Sequence, residues 1–367
     1  MQGTRVGIIG AGQLGRMMAL AGYPLGVQCR FVDTHTDSPA GQVAPIRTAA
    51  LDDFDALAAL AEEVDVMTFD IENVSVDALR KLEAITPVRP GPDIVAVAQD
   101  RLAEKRLFQR LDIPTAPFVP VDAEKDLRTA AADLPWPIVL KARRLGYDGR
   151  GQRIARSETE LTAAWTELGR PSAIAEGWVS FERELSLIAA RGDDDARVFY
   201  PLTENRHRDG ILISSVAPYD NAALQRTAET WMTAVMAEYE YRGVLAIEFF
   251  QTDAGLLANE MAPRVHNSGH WTIEGAEISQ FENHLRAILG WPLGCAGART
   301  HSAMLNLLGT MPDPKSVLAE AGVHLHDYGK QPRPKRKLGH CTLVDSDRAR
   351  LMARLGRLER IVPPLRS

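Results

Sequence analysis

Residues 243–270 read GVLAIEFFQTDAGLLANEMAPRVHNSGH. Two apolar runs, GVLAIEFF (243–250) and GLLANEM (255–261), predict neighbouring strands. Each carries one glutamate among apolar residues, Glu248 in the first and Glu260 in the second, where an unpaired carboxylate is costly to bury. With Asn259 alongside, the pair offers hard oxygen ligands suited to Mg2+, an ion that commonly takes substrate phosphates as further ligands. The competing reading is two glutamates that face solvent. The loop that follows brings Arg264, His266, Asn267, Ser268 and His270 into seven positions, a set suited to a small oxyanion on which charge develops. His266 and His270 also have a spacing that zinc can use. No HExxH motif or third ligand accompanies them, and a turn-rich loop does not stack them on one helical face.

Upstream, the strand candidates ELSLIAARG (184–192) and ARVFYPL (196–202) precede a helical stretch, TAETWMTAVMAEYEY (227–241), so this region reads as α+β. Before it, WPIVLKARR (136–144) is a strand with Lys141 at its end, followed by the loop RLGYDGRGQ (144–152). A point charge, three glycines (Gly146, Gly149, Gly151) and Arg150 are the parts needed to close over a polyphosphate. A solvated hairpin turn is the alternative. A further helix and the strand AIAEGWV (173–179) complete a small subdomain, preceded by a helix over 100–111 and the extended, proline-rich IPTAPFVPV (113–121).

At the start, VGIIG (6–10), a glycine turn, a helix and VQCRFVD (27–33) form a βαβ unit. Residues 10–15, GAGQLG, match G-x-G-x-x-G, and Asp33 ends the next strand. A dinucleotide site is the usual first reading of such a turn; tight strand-to-helix packing is the other. A second strand over 64–70 leads into the turn IENVS (71–75), and TPVRPGPD (86–93) marks the end of an open α/β unit. Near the C-terminus, Lys330, Arg333, Lys335, Arg336 and Lys337 crowd into eight positions, either as an anion site or as a solvated basic loop.

With 367 residues the chain exceeds what one core usually supports, so two or three domains are expected. A formal net charge of −6 gives no global attraction to nucleic acid or an anionic membrane, so neither is an expected partner. No secretory signal and no apolar stretch near the roughly 20 residues of a membrane span are found. Cys29, Cys295 and Cys341 lack CxxC spacing and are odd in number, which fits a reducing cytosol.

These motifs together have a resemblance. GAGQLGRM (10–17), KARRLGYDGRGQ (141–152), LANEMAPRVHNSGHW (257–271) and the basic KxxxxxRK (330–337) resemble the N5-carboxyaminoimidazole ribonucleotide synthetase family, ATP-grasp enzymes of purine synthesis. NEMAPRVHNSGHW is the most specific element, and the likeness covers nearly the whole chain. It implies an ATP-grasp fold of mixed α/β and α+β type: a Rossmann-like N-terminal domain (1–100), a small central lid domain (101–180) and a C-terminal α+β domain (181–367), with ATP between the last two. It also implies ATP and Mg2+ as cofactors, bicarbonate and 5-aminoimidazole ribonucleotide as substrates, a cytoplasmic setting and a homodimer.

Residue by residue, the likeness implies that Arg101 and Lys141 contact ATP and that Gly146, Tyr147, Asp148, Gly149, Arg150, Gly151 and Gln152 form a lid. Glu176, Gly177, Trp178 and Val179 would line the adenine pocket with main-chain groups. Glu184 would hold the ribose hydroxyls near His207, and Glu248 and Glu260, beside Asn259, the metal. Arg264, His266, Asn267 and Asp148 would do the chemistry on bicarbonate. Gln13, Leu14, Glu72, Tyr147, Arg150, Lys330, Arg336 and Lys337 would bind the ribonucleotide. One departure stands out: the family usually has a second glycine where this chain has Leu145, whose side chain restricts φ. Two rival readings remain at this point, a nicotinamide oxidoreductase resting on the glycine turn and Asp33, and a nucleotide-binding regulator without turnover.

Overall fold

The computed structural model describes residues 3–146 and 151–363. Its first sheet is parallel, with β1 (Arg5–Ile9), β2 (Gln28–Asp33), β3 (Ile46–Thr48) and β4 (Val66–Phe69) in the order β3-β2-β1-β4. β1 is buried along RVGII apart from Arg5, and the chain leaves it through Gly10 at φ +86° to enter the Gln13–Gly22 helix. A Cβ on Gly10 would lie 2.1 Å from Oδ1 of Asp70, so only glycine fits. The turn's amides are already engaged: Ala11 N–H donates to Asp33 Oδ2 (2.6 Å) and Gly15 N–H to Asp70 Oδ2 (3.2 Å). Two amides that would greet a pyrophosphate are thus held by the protein's own carboxylates, which weighs against the dinucleotide reading. Burial raises the Asp70 carboxyl to about 6, against the pull of the Gly15 and Gly12 amides.

The second sheet is antiparallel, with β5 (Phe118–Val121), β6 (Ile138–Ala142), β7 (Gln152–Ala155) and β8 (Ala173–Gly177) in the order β5-β8-β6-β7. Lys141 on β6 pairs with Gln152 on β7, so the glycine-rich loop is the connection of a hairpin. On that loop Leu145 sits at φ +63° with 79% of its surface exposed, a left-handed backbone without packing to repay the strain.

The third sheet has nine strands. They are β9 (Arg183–Arg191), β10 (Arg197–Phe199), β11 (Thr203–Arg208), β12 (Ile211–Ala217), β13 (Gly243–Thr252), β14 (Gly255–Ala262), β15 (His301–Leu308), β16 (Val323–Asp327) and β17 (Lys337–Asp345). The main path runs β14-β13-β9-β11-β12-β15-β17-β16, with β10 beside β9. The predicted strand over 196–202 shrinks to the short β10, while the hairpin β11–β12 is an addition to the expected strands, and its first strand escapes the apolar pattern altogether. β11 reads TENRHR, too polar to signal a strand by hydrophobic alternation. Its only local sign is Asp209-Gly210, both at positive φ, a pair favoured in two-residue hairpin turns.

Leu14, Met17 and Met18 of the first helix share a core with Phe281 and Leu285 of the Gln280–Ile288 helix and with Tyr328. The glycine turn is thereby locked against the C-terminal part of the chain. No helix among the described residues is long and apolar enough to cross a membrane.

Candidate active site

β13 and β14 pair antiparallel with Glu248 opposite Glu260, so both carboxylates leave the same face. A bulge follows directly: Phe249 opposes Ala258, and Asn259 is the extra residue. Its Oδ1 is buried with no hydrogen-bond partner. Glu248 and Glu260 keep 17% and 40% of their side-chain surface exposed, so both face an open cleft. Two carboxylates and an orphaned amide oxygen fit a hard cation such as Mg2+. Among the described residues no group of three or more His, Cys, Asp and Glu is arranged for a metal. Burial and the neighbouring Glu260 charge push the Glu248 carboxyl up. Burial acts on Glu260 too, but Arg101 at 2.7 Å outweighs it and holds that carboxyl down.

Arg101 comes from the Arg101–Arg110 helix, whose N-cap Asp100 accepts the amides of Leu102 and Ala103 and is gripped by Arg143. One face of this helix lies on β14. Arg101 reaches Glu260, Glu104 accepts the Met261 amide at 2.6 Å, and Lys105 Nζ donates to the Asn259 carbonyl at 2.8 Å. Lys105 also lies 3.7 Å from Glu176 Oε2, the atom that Lys141 contacts at 2.9 Å. Burial alone would raise Glu176, but the two ammonium groups bring it down to about 2. Sequence patterning overlooks Glu104 and Lys105. The available signal was Arg101, Glu104 and Lys105 at i, i+3 and i+4, which share one helical face.

The loop bearing Arg264, His266 and Asn267 adjoins this pair. Arg264 Nη2 lies 2.9 Å from Glu72 Oε1, His266 Nε2 lies 3.4 Å from Glu248 Oε1, and Asn267 exchanges amide hydrogen bonds with buried Asn306 at 2.8 and 3.1 Å. Burial and the Arg264 charge drop His266 to about 3, so its ring is neutral. On the same sheet face Glu184 of β9 holds the ring of His207 from β11; burial would lower His207, and this hydrogen bond raises it. Glu184 and His207 line a cleft of about 570 Å³ whose far wall includes Met352, Leu355 and Glu359.

The ribonucleotide candidates divide. Lys330 donates a hydrogen bond to Gln13 of the glycine turn and lies over the Tyr328 ring. Lys337 is buried, and its charge acts on Glu248 and His266, so it belongs to the carboxylate end. Arg336 is part-exposed and donates to the Gln331 carbonyl. The Leu14 side chain is packed in the core, which leaves only its main chain for a ligand.

Three family matches cover most of the chain: the ribonucleotide synthetase preATP-grasp domain over residues 3–99, the ATP-grasp domain over 106–281 and the phosphoribosylaminoimidazole carboxylase C-terminal domain over 302–354. N5-carboxyaminoimidazole ribonucleotide synthase of Pseudomonas aeruginosa is 48% identical over 98% of this chain and 99% of its own. The crystal structure of N5-carboxyaminoimidazole ribonucleotide synthetase from Thermus thermophilus superposes with a TM-score of 0.94 at 50% identity, covering 99% of each chain. The Aspergillus clavatus enzyme in complex with ADP and 5-aminoimidazole ribonucleotide gives 0.91 at 28% identity, over 98% of this chain and 99% of that one.

The chain belongs to the N5-carboxyaminoimidazole ribonucleotide synthase family.

As a member of that family it is an ATP-grasp ligase, and the oxidoreductase and non-catalytic readings fall away. The segment expected to line an adenine pocket is strongly structured: the amides of Gly177 and Trp178 donate to the carbonyls of Pro117 and Pro137, while the Trp178 side chain is 45% exposed. Gly151, at φ +77°, and Gln152 anchor the far side of the loop that opens at Gly146. Tyr147, Asp148, Gly149 and Arg150 lie outside the described residues.

Proposed function

We propose that the chain couples ATP and bicarbonate to carboxylation of the amine of 5-aminoimidazole ribonucleotide, giving N5-carboxyaminoimidazole ribonucleotide, ADP and phosphate. The observation that carries this reading is the 3.4 Å approach of His266 Nε2 to Glu248 Oε1. It joins the carboxylates suited to a nucleotide's metal to the loop suited to an oxyanion, so that phosphoryl transfer and capture occur in one place. The relative solved with ADP and 5-aminoimidazole ribonucleotide supports the same pair of ligands.

Bicarbonate is a poor electrophile. Phosphorylation by ATP converts it to carboxyphosphate, and the amine then attacks that species or the CO2 it releases. Lys141 holds the ATP phosphates, with the main chain of residues 176–179 on adenine and Glu184 on the ribose. Glu248, Glu260 and Asn259 hold Mg2+, which when bound compensates phosphate charge. Arg264 and Asn267 orient the bicarbonate oxygens, and neutral His266 offers an N–H without adding a charge that would trap the anion. Gln13, Glu72 and Lys330 receive the ribonucleotide, and the reaction requires that water be kept from the acyl phosphate.

We place the domain limits near residues 100 and 180, a division that the breaks between the three sheets support. A cytoplasmic setting fits the free thiols of Cys29, Cys295 and Cys341, and a homodimer follows the resemblance. The test is phosphate release by the full chain with MgATP, omitting bicarbonate or the ribonucleotide in turn. Release must require both; equal release without either one overturns the reading.

A further inference from the structure

A buried line of hydroxyl and amide groups runs from the middle of the third sheet to His266. Ser215 Oγ donates to Asn205 Oδ1 (2.7 Å), Asn205 Nδ2 donates to Ser186 Oγ (2.9 Å), and Ser186 Oγ donates to Ser268 Oγ (2.8 Å). Ser268 Oγ lies 2.9 Å from His266 Nδ1. Accepting from Ser186 leaves the Ser268 proton free to be donated to Nδ1. The Ser268 main-chain N–H, which can only donate, also points at Nδ1 at 3.4 Å. Ser186, Ser215 and Ser268 are fully buried and Asn205 is 6% exposed, so solvent does not set the direction of these bonds.

The main-chain N–H of Ser268 has one sense, and it makes Nδ1 the acceptor, with the hydroxyl line able to donate in the same direction. A neutral imidazole that accepts at Nδ1 carries its hydrogen on Nε2, and Nε2 is the atom 3.4 Å from Glu248 Oε1. Register explains how the line comes to be there. Ser186 of β9 stands opposite Glu248 of β13 and Thr203 of β11, and Asn205 stands opposite Glu184 and Ser215. The face that carries the acidic pair therefore carries its own hydroxyl chain one strand further in.

We propose that Ser268, Ser186 and Asn205 are positioning residues that fix His266 as the Nε2–H tautomer, aiming its one N–H at Glu248 and at the oxyanion bound beside Arg264. This rests on the bicarbonate reading of that loop. It goes further in naming groups that touch no substrate, yet decide which ring nitrogen donates. Without the line, the ring could take its hydrogen on Nδ1 and present a lone pair to an anion, which repels it.

The experiment uses the full-length chain labelled with ¹⁵N-histidine, with long-range ¹H–¹⁵N spectra reporting the ring tautomer and His266→Asn identifying the signal. In wild type, Nδ1 of His266 should be unprotonated and Nε2 protonated. In Ser268→Ala the two tautomers should mix, with kcat down about tenfold, the scale of one lost hydrogen bond, and KM for ATP within twofold. Ser186→Ala, one bond further from the ring, should move both readings the same way but less, and replaces Ser268→Ala if that variant does not fold. Ser268→Thr, which keeps the hydroxyl, should restore the wild-type tautomer. A protonated Nδ1 in wild type overturns the proposal. So does a Ser268→Ala protein with unchanged tautomer and kcat. Absence of bicarbonate-dependent turnover in wild type would instead remove the function reading, while the spectrum still decides the tautomer.

Discussion

Lys330 and Gln13, 317 positions apart in sequence, are joined by a hydrogen bond from the ammonium group to the amide oxygen. The contact ties the glycine turn to the C-terminal basic loop and marks where an anionic end of the ribonucleotide would sit. Replacing Lys330 by Met should weaken ribonucleotide binding by about ten- to a hundredfold, the range of a charge-assisted phosphate contact. ATP binding should stay within about twofold. Titration with each ligand separately checks this. Arg336→Ala should have a smaller effect than Lys330→Met, because Arg336 is part-exposed and engaged with the Gln331 carbonyl.

Glu260→Gln removes a carboxylate proposed to hold the metal and the charge paired with Arg101, so kcat/KM should fall by at least about a hundredfold. Glu248→Gln should cost as much turnover yet raise the thermal midpoint in the absence of metal, because it ends the repulsion between facing carboxylates. Thermal unfolding with EDTA and steady-state rates at saturating Mg2+ separate the two effects. Normal turnover in either variant removes that residue from the metal site.

Lys105→Met leaves Glu176 with Lys141 as its remaining ammonium partner in a buried site. Breaking such a cluster should cost about 3 to 5 kcal/mol. It should also draw Lys141 more tightly onto Glu176 and raise KM for ATP. Chemical denaturation and ATP titration test the two halves, and an unchanged midpoint would show that Lys105 is dispensable to the core.

Leu145→Gly should relieve a left-handed backbone that costs a side-chain-bearing residue about 1 kcal/mol, offset by a similar entropy gain in the unfolded chain. Stability should therefore change by less than about 1 kcal/mol, whereas KM for ATP or kcat should shift as the loop gains freedom. If both kinetic constants stay put, the leucine is a neutral replacement.

Asp70 gives a pH test. Its carboxyl is raised from 3.8 to about 6 in the folded protein, so the folded state binds the extra proton. Its contribution to stability is then lost as pH climbs from about 4 to 6, by on the order of 3 kcal/mol. Asp70→Asn should remove that slope and become progressively more stable relative to wild type across the window. Parallel denaturation curves at pH 4 and pH 7 would contradict it.

Much of this was legible in the sequence because chemistry and pattern coincide there. The strands bearing Glu248 and Glu260 are apolar except at the residue that matters, so the anomaly announces itself. β11 hides for the opposite reason: TENRHR is polar because its side chains line a cleft, and hydrophobic alternation has nothing to detect. Lys105 and Glu104 look like ordinary helix-surface charges until the helix is laid on β14. The roles of Asp33 and Asp70 as internal caps of the glycine turn depend on a strand-to-turn distance that residue spacing does not encode. Lys337 reads as one more charge in a basic run, and only the sheet puts it beside the carboxylates.

The pairing of β12 with β15 sets an order of assembly on the ribosome. β12 ends at Ala217 and its partner β15 begins at His301, so the growing chain carries an open strand edge while every residue between them is made. Those intervening residues include Glu248, Glu260, Arg264 and His266. Asn306, on the late strand, then takes the Leu212 carbonyl with one hydrogen and Asn267 with the rest of its amide. A chain that stops before β15 thus lacks the strand that pairs with β12 and the Asn306 amide that holds Asn267, and exposes an open edge of the kind that promotes misassociation.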